Sequence, residues 1–325
     1  MTAKTIGAIK KLQGDSLWPV SFVAACFVLL VVAAYPAQAV NFDWVSVGNV
    51  GNGPDDTGFG AVDNSYRIAT TEVTNNQYAT FLNNVAATDT FGVWQASMDI
   101  TQMGSAGSYT YAATTSFGSK PVRLVSFSNA MRFVNWLENG RPNGSQGPET
   151  TEDGTYLISD GISETRASTA TFFLPSEDEW YKAAYHKNDG VTANYWDYPN
   201  QSDAPPTAAG ANFANFVGDT TDVGTYTGTT SAYGGFDFGG NVFEWTEGLD
   251  GPNRVIRGGA WNSAATLLAA SSRTLVLPID PRGDFGFGFR IAALHTPEPG
   301  TALLGVMGGL LLMLFSGRRF QRRTR

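Results

Sequence analysis

The sequence predicts an α+β fold, a single loop-rich domain, and three observations point there. Three short amphipathic segments each open on a helix-capping residue. Each is preceded by a short strand-like run. The 325 residues also include 37 glycines, with abundant Asn, Thr and Ser, so turns outweigh regular elements. No internal repeat is visible, and the body is long enough for one large domain.

The elements follow in order. A strand-like run at 66–73 leads into Thr74-Asn75-Asn76-Gln77, a capping-box pattern, after which Tyr78, Phe81, Leu82 and Val85 fall on one helical face. A second run at 121–125 leads to Ser126, which caps a helix carrying Phe127, Ala130, Met131, Val134 and Leu137 and ending near Asn139-Gly140. A third run at 171–174 precedes Ser176-Glu177-Asp178-Glu179, another capping box whose acids suit the positive helix end, and then Trp180, Ala183 and Ala184. The connectors at 88–119 and 140–170 read as irregular and polar. After Asn188 turn residues recur every few positions, with short strands expected at 254–257 and 287–292.

Both ends carry addresses. Lys10 and Lys11 precede an apolar run at 17–35, and Ala37-Gln38-Ala39 is a small-x-small cleavage pattern, so residues 1–39 read as a secretory signal peptide. Lipoprotein processing at Cys26 is the rival, and it would leave an apolar run at the mature N-terminus. The last residues hold Pro297-Glu298-Pro299, an apolar stretch at 301–315, then Arg318, Arg319, Arg322, Arg323 and Arg325. Arginines after an apolar span hold the end on the cytoplasmic side, and a span of about 15 residues is short against the roughly 20 of a permanent helix. This tail, at 296–325, resembles the PEP-CTERM sorting signal. The resemblance implies an exosortase partner, membrane contact before processing, and delivery to the envelope, cell surface or extracellular matrix of a Gram-negative bacterium. A plain tail anchor is the alternative.

Removing both ends changes the charge. Of 21 Lys and Arg and 29 Asp and Glu, the ends take eight and two, leaving 13 against 27. So acidic a body repels phosphate backbones, which argues against nucleic-acid binding and makes a divalent cation a plausible partner. The one cysteine, Cys26, leaves with the leader. The mature body, 40–295, then has no disulfide and no thiolate.

Six motifs resemble those of the formylglycine-generating enzyme, or sulfatase-modifying factor, family. They are residues 68–78, Pro121 to Ser126, Leu174 to Trp180, Gly239-Gly240-Asn241-Val242-Phe243-Glu244-Trp245-Thr246, Arg254 to Trp261, and Gly288-Phe289-Arg290. In family order they span nearly the whole body, and they imply a fold related to C-type lectin-like domains. At the fourth motif the residues alone offer two carboxylates, Asp237 and Glu244, at one glycine bend, an oxygen-rich arrangement that suits Ca²⁺; a solvated glycine turn is the bland reading. The family holds calcium there, implying Asp237, the Gly240 and Val242 carbonyls and Glu244 as ligands. A second family site maps onto Asn212, Phe213, Asn215 and Val217.

The family's chemistry needs a cysteine pair that binds copper. Those two places are Ser263 and Leu268 here, and neither is a ligand for a soft ion. Copper and formylglycine formation are therefore not expected. His186 and His295 are too scattered for a histidine cluster, and Glu177, Asp178 and Glu179 read as a helix start. Tyr195, Trp196 and Tyr198 form the one cluster resembling a recognition surface, for sugar or peptide, if they are not packing a loop. The leading reading is an exported, non-catalytic binding or structural domain with a polysaccharide or protein partner. An enzyme with a different site, or a carbohydrate-binding module, is the alternative.

Overall fold

The structure, a computed structural model, describes residues 40–159, 163–278 and 286–295. The expected leader and the sorting residues Pro297, Glu298 and Pro299 lie outside the described residues. Among the described residues, no helix is long and apolar enough to cross a membrane.

Strand β1 (Trp44–Val47) pairs antiparallel with β2 (Tyr66–Ala69), placing Val45 opposite Ile68. Helix α1 (Asn75–Val85) starts on the expected reciprocal cap: the Thr74 hydroxyl accepts the Gln77 N–H, and the Gln77 side chain accepts the Thr74 N–H at 2.8 Å. Such a cap is worth about 1 kcal/mol. A hairpin, β3 (Ile100–Met103) and β4 (Thr110–Ala113), fills part of the connector read as irregular. Its inward groups are few, chiefly Ile100 and Tyr111, so almost no alternation marks it in the sequence.

Helix α2 (Phe127–Glu138) follows Ser126 as expected, but the run at 121–125 is not a strand. Leu124 takes a left-handed conformation, φ +65°, which breaks the extended run. Short β5 (Phe172–Phe173) then precedes α3 (Glu177–Tyr185), capped reciprocally by Ser176 and Glu179. The remaining strands are β6 (Phe243–Asp250), β7 (Asn253–Arg257), β8 (Thr274–Val276), β9 (Phe287–Gly288) and β10 (Ala292–Leu294). The expected strand at 287–292 is thus two, belonging to different sheets.

One sheet has the order β1-β2-β10-β5 and another β8-β7-β6-β9, with β6 and β9 parallel. Strand β10 lies between β2 and β5, so the two ends of the body share one sheet. Side chains alternate across it. Ile68 faces a cluster built on Trp180, Tyr181 and Tyr185 of α3, while Ala69 faces the larger core around α1 and α2. In that larger core Phe133 meets Phe81, Trp136 and Phe289 at 5.4–5.7 Å between ring centres. Each fully buried ring contributes about 1.5–3 kcal/mol.

Candidate functional site

The bend before β6 is built from backbone that favours glycine and asparagine. Asp237, Gly240 and Asn241 all have positive φ, at 57°, 91° and 60°. A Cβ on Gly240 would lie 2.1 Å from the Asn212 carbonyl oxygen, so this position admits no side chain. The bend delivers Glu244 to the interior, where it is 0% exposed.

Glu244 meets a guanidinium there. Arg290 donates to Glu244 Oε2 through Nε and to Oε1 through Nη2, both at 2.6 Å, and Trp180 Nε1 donates to Oε2 at 2.7 Å. Arg290 also donates to the carbonyls of Ala69 and Phe236, at 3.2 and 2.9 Å, and lies 3.8 Å over the Phe238 ring. Two further carboxylates bear on this pair. Asp237 Oδ2 accepts the Gly224 N–H at 2.6 Å. Burial, assisted by Glu244, pushes its pKa up to about 6 against the opposing Gly224 N–H and Arg290. Glu72 is pushed well above the usual carboxylate range by burial first and by Asp237 second. Its Oε1 accepts from Asn241 Nδ2 at 3.2 Å, while its buried Oε2 has no partner among the described residues. Three carboxylates thus share one guanidinium.

The calcium ligands implied by the resemblance fit this geometry in part. Gly240 and Val242 are buried, and among the described residues no donor reaches either carbonyl oxygen, an unusual state for buried backbone. Those oxygens, with Asp237, are hard donors of the kind Ca²⁺ takes. Glu244 has only the lone pairs that Arg290 and Trp180 leave. Among the described residues no three His, Cys, Asp or Glu converge on a metal-sized point, so backbone carbonyls would carry such a site. The second set is dispersed. Asn212 is buried, donating to the Asp219 carbonyl at 2.9 Å with its Oδ1 unpartnered among the described residues, whereas Asn215 is exposed and its N–H donates to the Trp261 carbonyl.

The places of the cysteine pair are occupied structurally. Ser263 Oγ accepts the Ala260 N–H at 2.9 Å, closing a turn. Leu268 ends a 3-10 turn, Ala265–Leu268, and is 0% exposed among Tyr198, Ala211 and Phe213. The Tyr185 hydroxyl donates to the Leu268 carbonyl at 3.0 Å.

The three-ring recognition surface does not form as expected. Tyr195 is buried, its hydroxyl accepting from Asn52 Nδ2 at 2.6 Å and donating to the Gly60 carbonyl at 2.8 Å. Tyr198 packs in the Leu268 cluster. Trp196 alone keeps an exposed edge, with the Lys187 ammonium 4.0 Å over its ring. Large rings in this polar loop are what holds it to the core. His186 is likewise buried, its Nδ1 accepting the Asn188 N–H at 3.0 Å, and His295 is exposed at the far end of β10.

The family model for the sulfatase-modifying factor enzyme 1-like domain matches residues 44–293. The chain belongs to that family. Over 170 residues it is 34% identical to the hercynine oxygenase of Mycolicibacterium thermoresistibile, covering 45% of this chain and 36% of the relative. A second hercynine oxygenase, from Mycolicibacterium smegmatis, is 33% identical over 153 residues, 40% of this chain and 35% of the relative. The chain therefore spans about a third of the length of the curated relatives it matches. Among solved structures, Treponema denticola variable protein 1 superposes with a TM-score of 0.54 at 20% identity, covering 80% of this chain and 98% of that one. CarF superposes at 0.50 and 21% identity, covering 79% and 100%. These likenesses show the shared fold.

In this sulfatase-modifying factor domain the third and fifth motifs meet through buried charge. Arg257 of β7 donates to Glu177 at the start of α3 at 2.5 Å, and Arg273 reaches the same carboxylate at 2.9 Å. Arg166 joins Glu179 at 2.6 Å and Glu247 at 2.8 Å. The acids of the third helix are thus structural. Glu72 and Arg290, the residues that balance the site, lie within the first and sixth motifs. The signal for Glu72 is an acid near the end of a strand run whose one other charge is Arg67.

Proposed function

We propose that this domain is a non-catalytic member of its family, an exported binding or structural protein that takes a polysaccharide or protein partner at the cell surface or in the matrix. The observation that carries the reading is Leu268, fully buried in an apolar cluster where the family's chemistry needs a thiolate. Its counterpart Ser263 spends its hydroxyl on a turn, and no cysteine follows Cys26. Copper is selected by soft thiolates, which this body does not offer.

In this reading residues 1–39 are removed on export and the Pro297-Glu298-Pro299 tail is handed to an exosortase-type partner. Ca²⁺ binds at the bend through Asp237 and the Gly240 and Val242 carbonyls, where it neutralises buried negative charge and stabilises the turn. A second reading, an enzyme with another site on this scaffold, draws support from the name of the hercynine oxygenase relatives. Titration of Cu(I) against a chromophoric chelator tests the first reading. The proposal expects no stoichiometric copper, and tight one-to-one uptake would sink it.

A further inference from the structure

A cleft of about 270 Å³ opens beside the chain's entry into the first sheet; it backs onto the bend through Phe236 and through Gly224, whose N–H donates to Asp237, and Ser263 does not line it. Its walls include Asn41 to Asp43, Thr70 and Thr71 at the exit of β2, the start of α1, and Gly224 with Phe236. The Phe42 ring is fixed by Trp44 and Phe133, at 5.7 and 6.4 Å between centres, while part of it stays exposed. Phe236 is held through its N–H, which donates to the Thr70 carbonyl at 2.7 Å. The cleft is therefore built on rigid backbone, with two rings in its wall.

Its polar groups are uncommitted. The Asp43 carboxylate, the Asn41 carboxamide and the Thr70 hydroxyl have no hydrogen-bond partner among the described residues, although the backbones beside them are tied. Asn41 accepts from Gln77 Nε2 at 2.8 Å through its carbonyl, and Asp43 accepts the Thr70 N–H at 2.8 Å through its own. No Lys or Arg lines the cleft. An anion would find no counter-charge here. An ammonium would gain little from a carboxylate as exposed as Asp43.

What remains is a ligand with several neutral hydroxyls and an apolar face. We propose that this cleft binds a neutral sugar ring, with Asp43, Asn41 and Thr70 taking its hydroxyls and Phe42 or Phe236 facing its C–H surface. The volume is below the roughly 300–1,000 Å³ of sites for drug-sized ligands, so it fits one ring of a longer glycan. This deepens the proposed function and rests on its polysaccharide partner. It names a ligand class and a site, and it holds whether or not the domain is catalytic.

The test is amide-resolved NMR of the purified protein titrated with glucose, galactose, mannose and N-acetylglucosamine, with glucuronate and trimethylammonium ion alongside. At least one neutral sugar should bind with a Kd in the millimolar range, shifting the amides of Thr70, Thr71 and Gly224. Asp43→Ala and Thr70→Val should each weaken it about fivefold to tenfold, as expected for a lost hydrogen bond. Both side chains lack structural partners, so unchanged melting is the control. Absence of any neutral-sugar shift at the cleft overturns the proposal. So does binding indifferent to both variants, or glucuronate or the ammonium ion binding more tightly. A copper-binding result bears only on the proposed function and leaves this outcome untouched.

Discussion

Replacing Arg290 with methionine removes the positive member of the most buried ion pair in this fold. Arg290 is 0% and Glu244 1% exposed at the side chain. Two charge-assisted bonds of 2.6 Å disappear, as do the donors to the Ala69 and Phe236 carbonyls. Glu244 keeps only Trp180, beside two other carboxylates. Breaking a buried pair from one side costs about 3–5 kcal/mol, and each orphaned carbonyl adds about 1–3 kcal/mol. The loss is comparable with the whole stability of a domain, about 5–15 kcal/mol. Urea unfolding of Arg290→Met should therefore show a collapse in midpoint or no folded protein. The double variant Arg290→Met with Glu244→Gln removes the stranded charge while keeping an acceptor for Trp180. It should recover about 2 kcal/mol over the single variant, or fold where the single does not. A loss under about 1 kcal/mol for Arg290→Met, or a double variant no better than the single, refutes the reasoning.

Three further outcomes are expected. Gly240→Ala places a Cβ 2.1 Å from the Asn212 oxygen at φ +91°, and it should cost at least about 3 kcal/mol in the same unfolding assay. Burial lowers the Lys182 pKa from 10.5 to about 8, so the unfolded chain holds the proton longer. Stability should rise with pH between about 8 and 10 in the native protein relative to Lys182→Met, and parallel curves would exclude this. At 100-fold excess over its Kd, Ca²⁺ should stabilise by about 2.7 kcal/mol, raising the melting temperature by several degrees over a chelated sample. Asp237→Ala should abolish that increment, and an increment that survives it removes calcium from the bend.

The helices were legible because their signals are local. Thr74 with Gln77 and Ser176 with Glu179 make reciprocal caps within three residues, and each apolar face follows at helical spacing. The expected strands failed where long-range contacts decide. At 121–125 the turn to left-handed Leu124 overrides an apolar run, and at 287–292 Gly288 sits so close to the Val122 carbonyl that a Cβ would lie 2.5 Å from it. Of the site, the sequence placed Asp237, Gly240 and Glu244 on one bend. The partner of Glu244 is 46 residues away and that of Glu177 is 80 away, distances at which no spacing rule operates. Tyr195 and Tyr198 misled for the same reason, since only tertiary packing separates a buried ring from a recognition surface.

The central question is whether this scaffold performs oxygen chemistry without thiolates. Oxygen uptake by the purified protein, loaded in turn with copper and iron and given a cysteine-containing sulfatase-type peptide, measures that directly, with mass spectrometry of the peptide as the second readout. The account predicts uptake no faster than a protein-free control and an unmodified cysteine. Metal-dependent uptake with aldehyde on the peptide would contradict it and assign the domain a catalytic site.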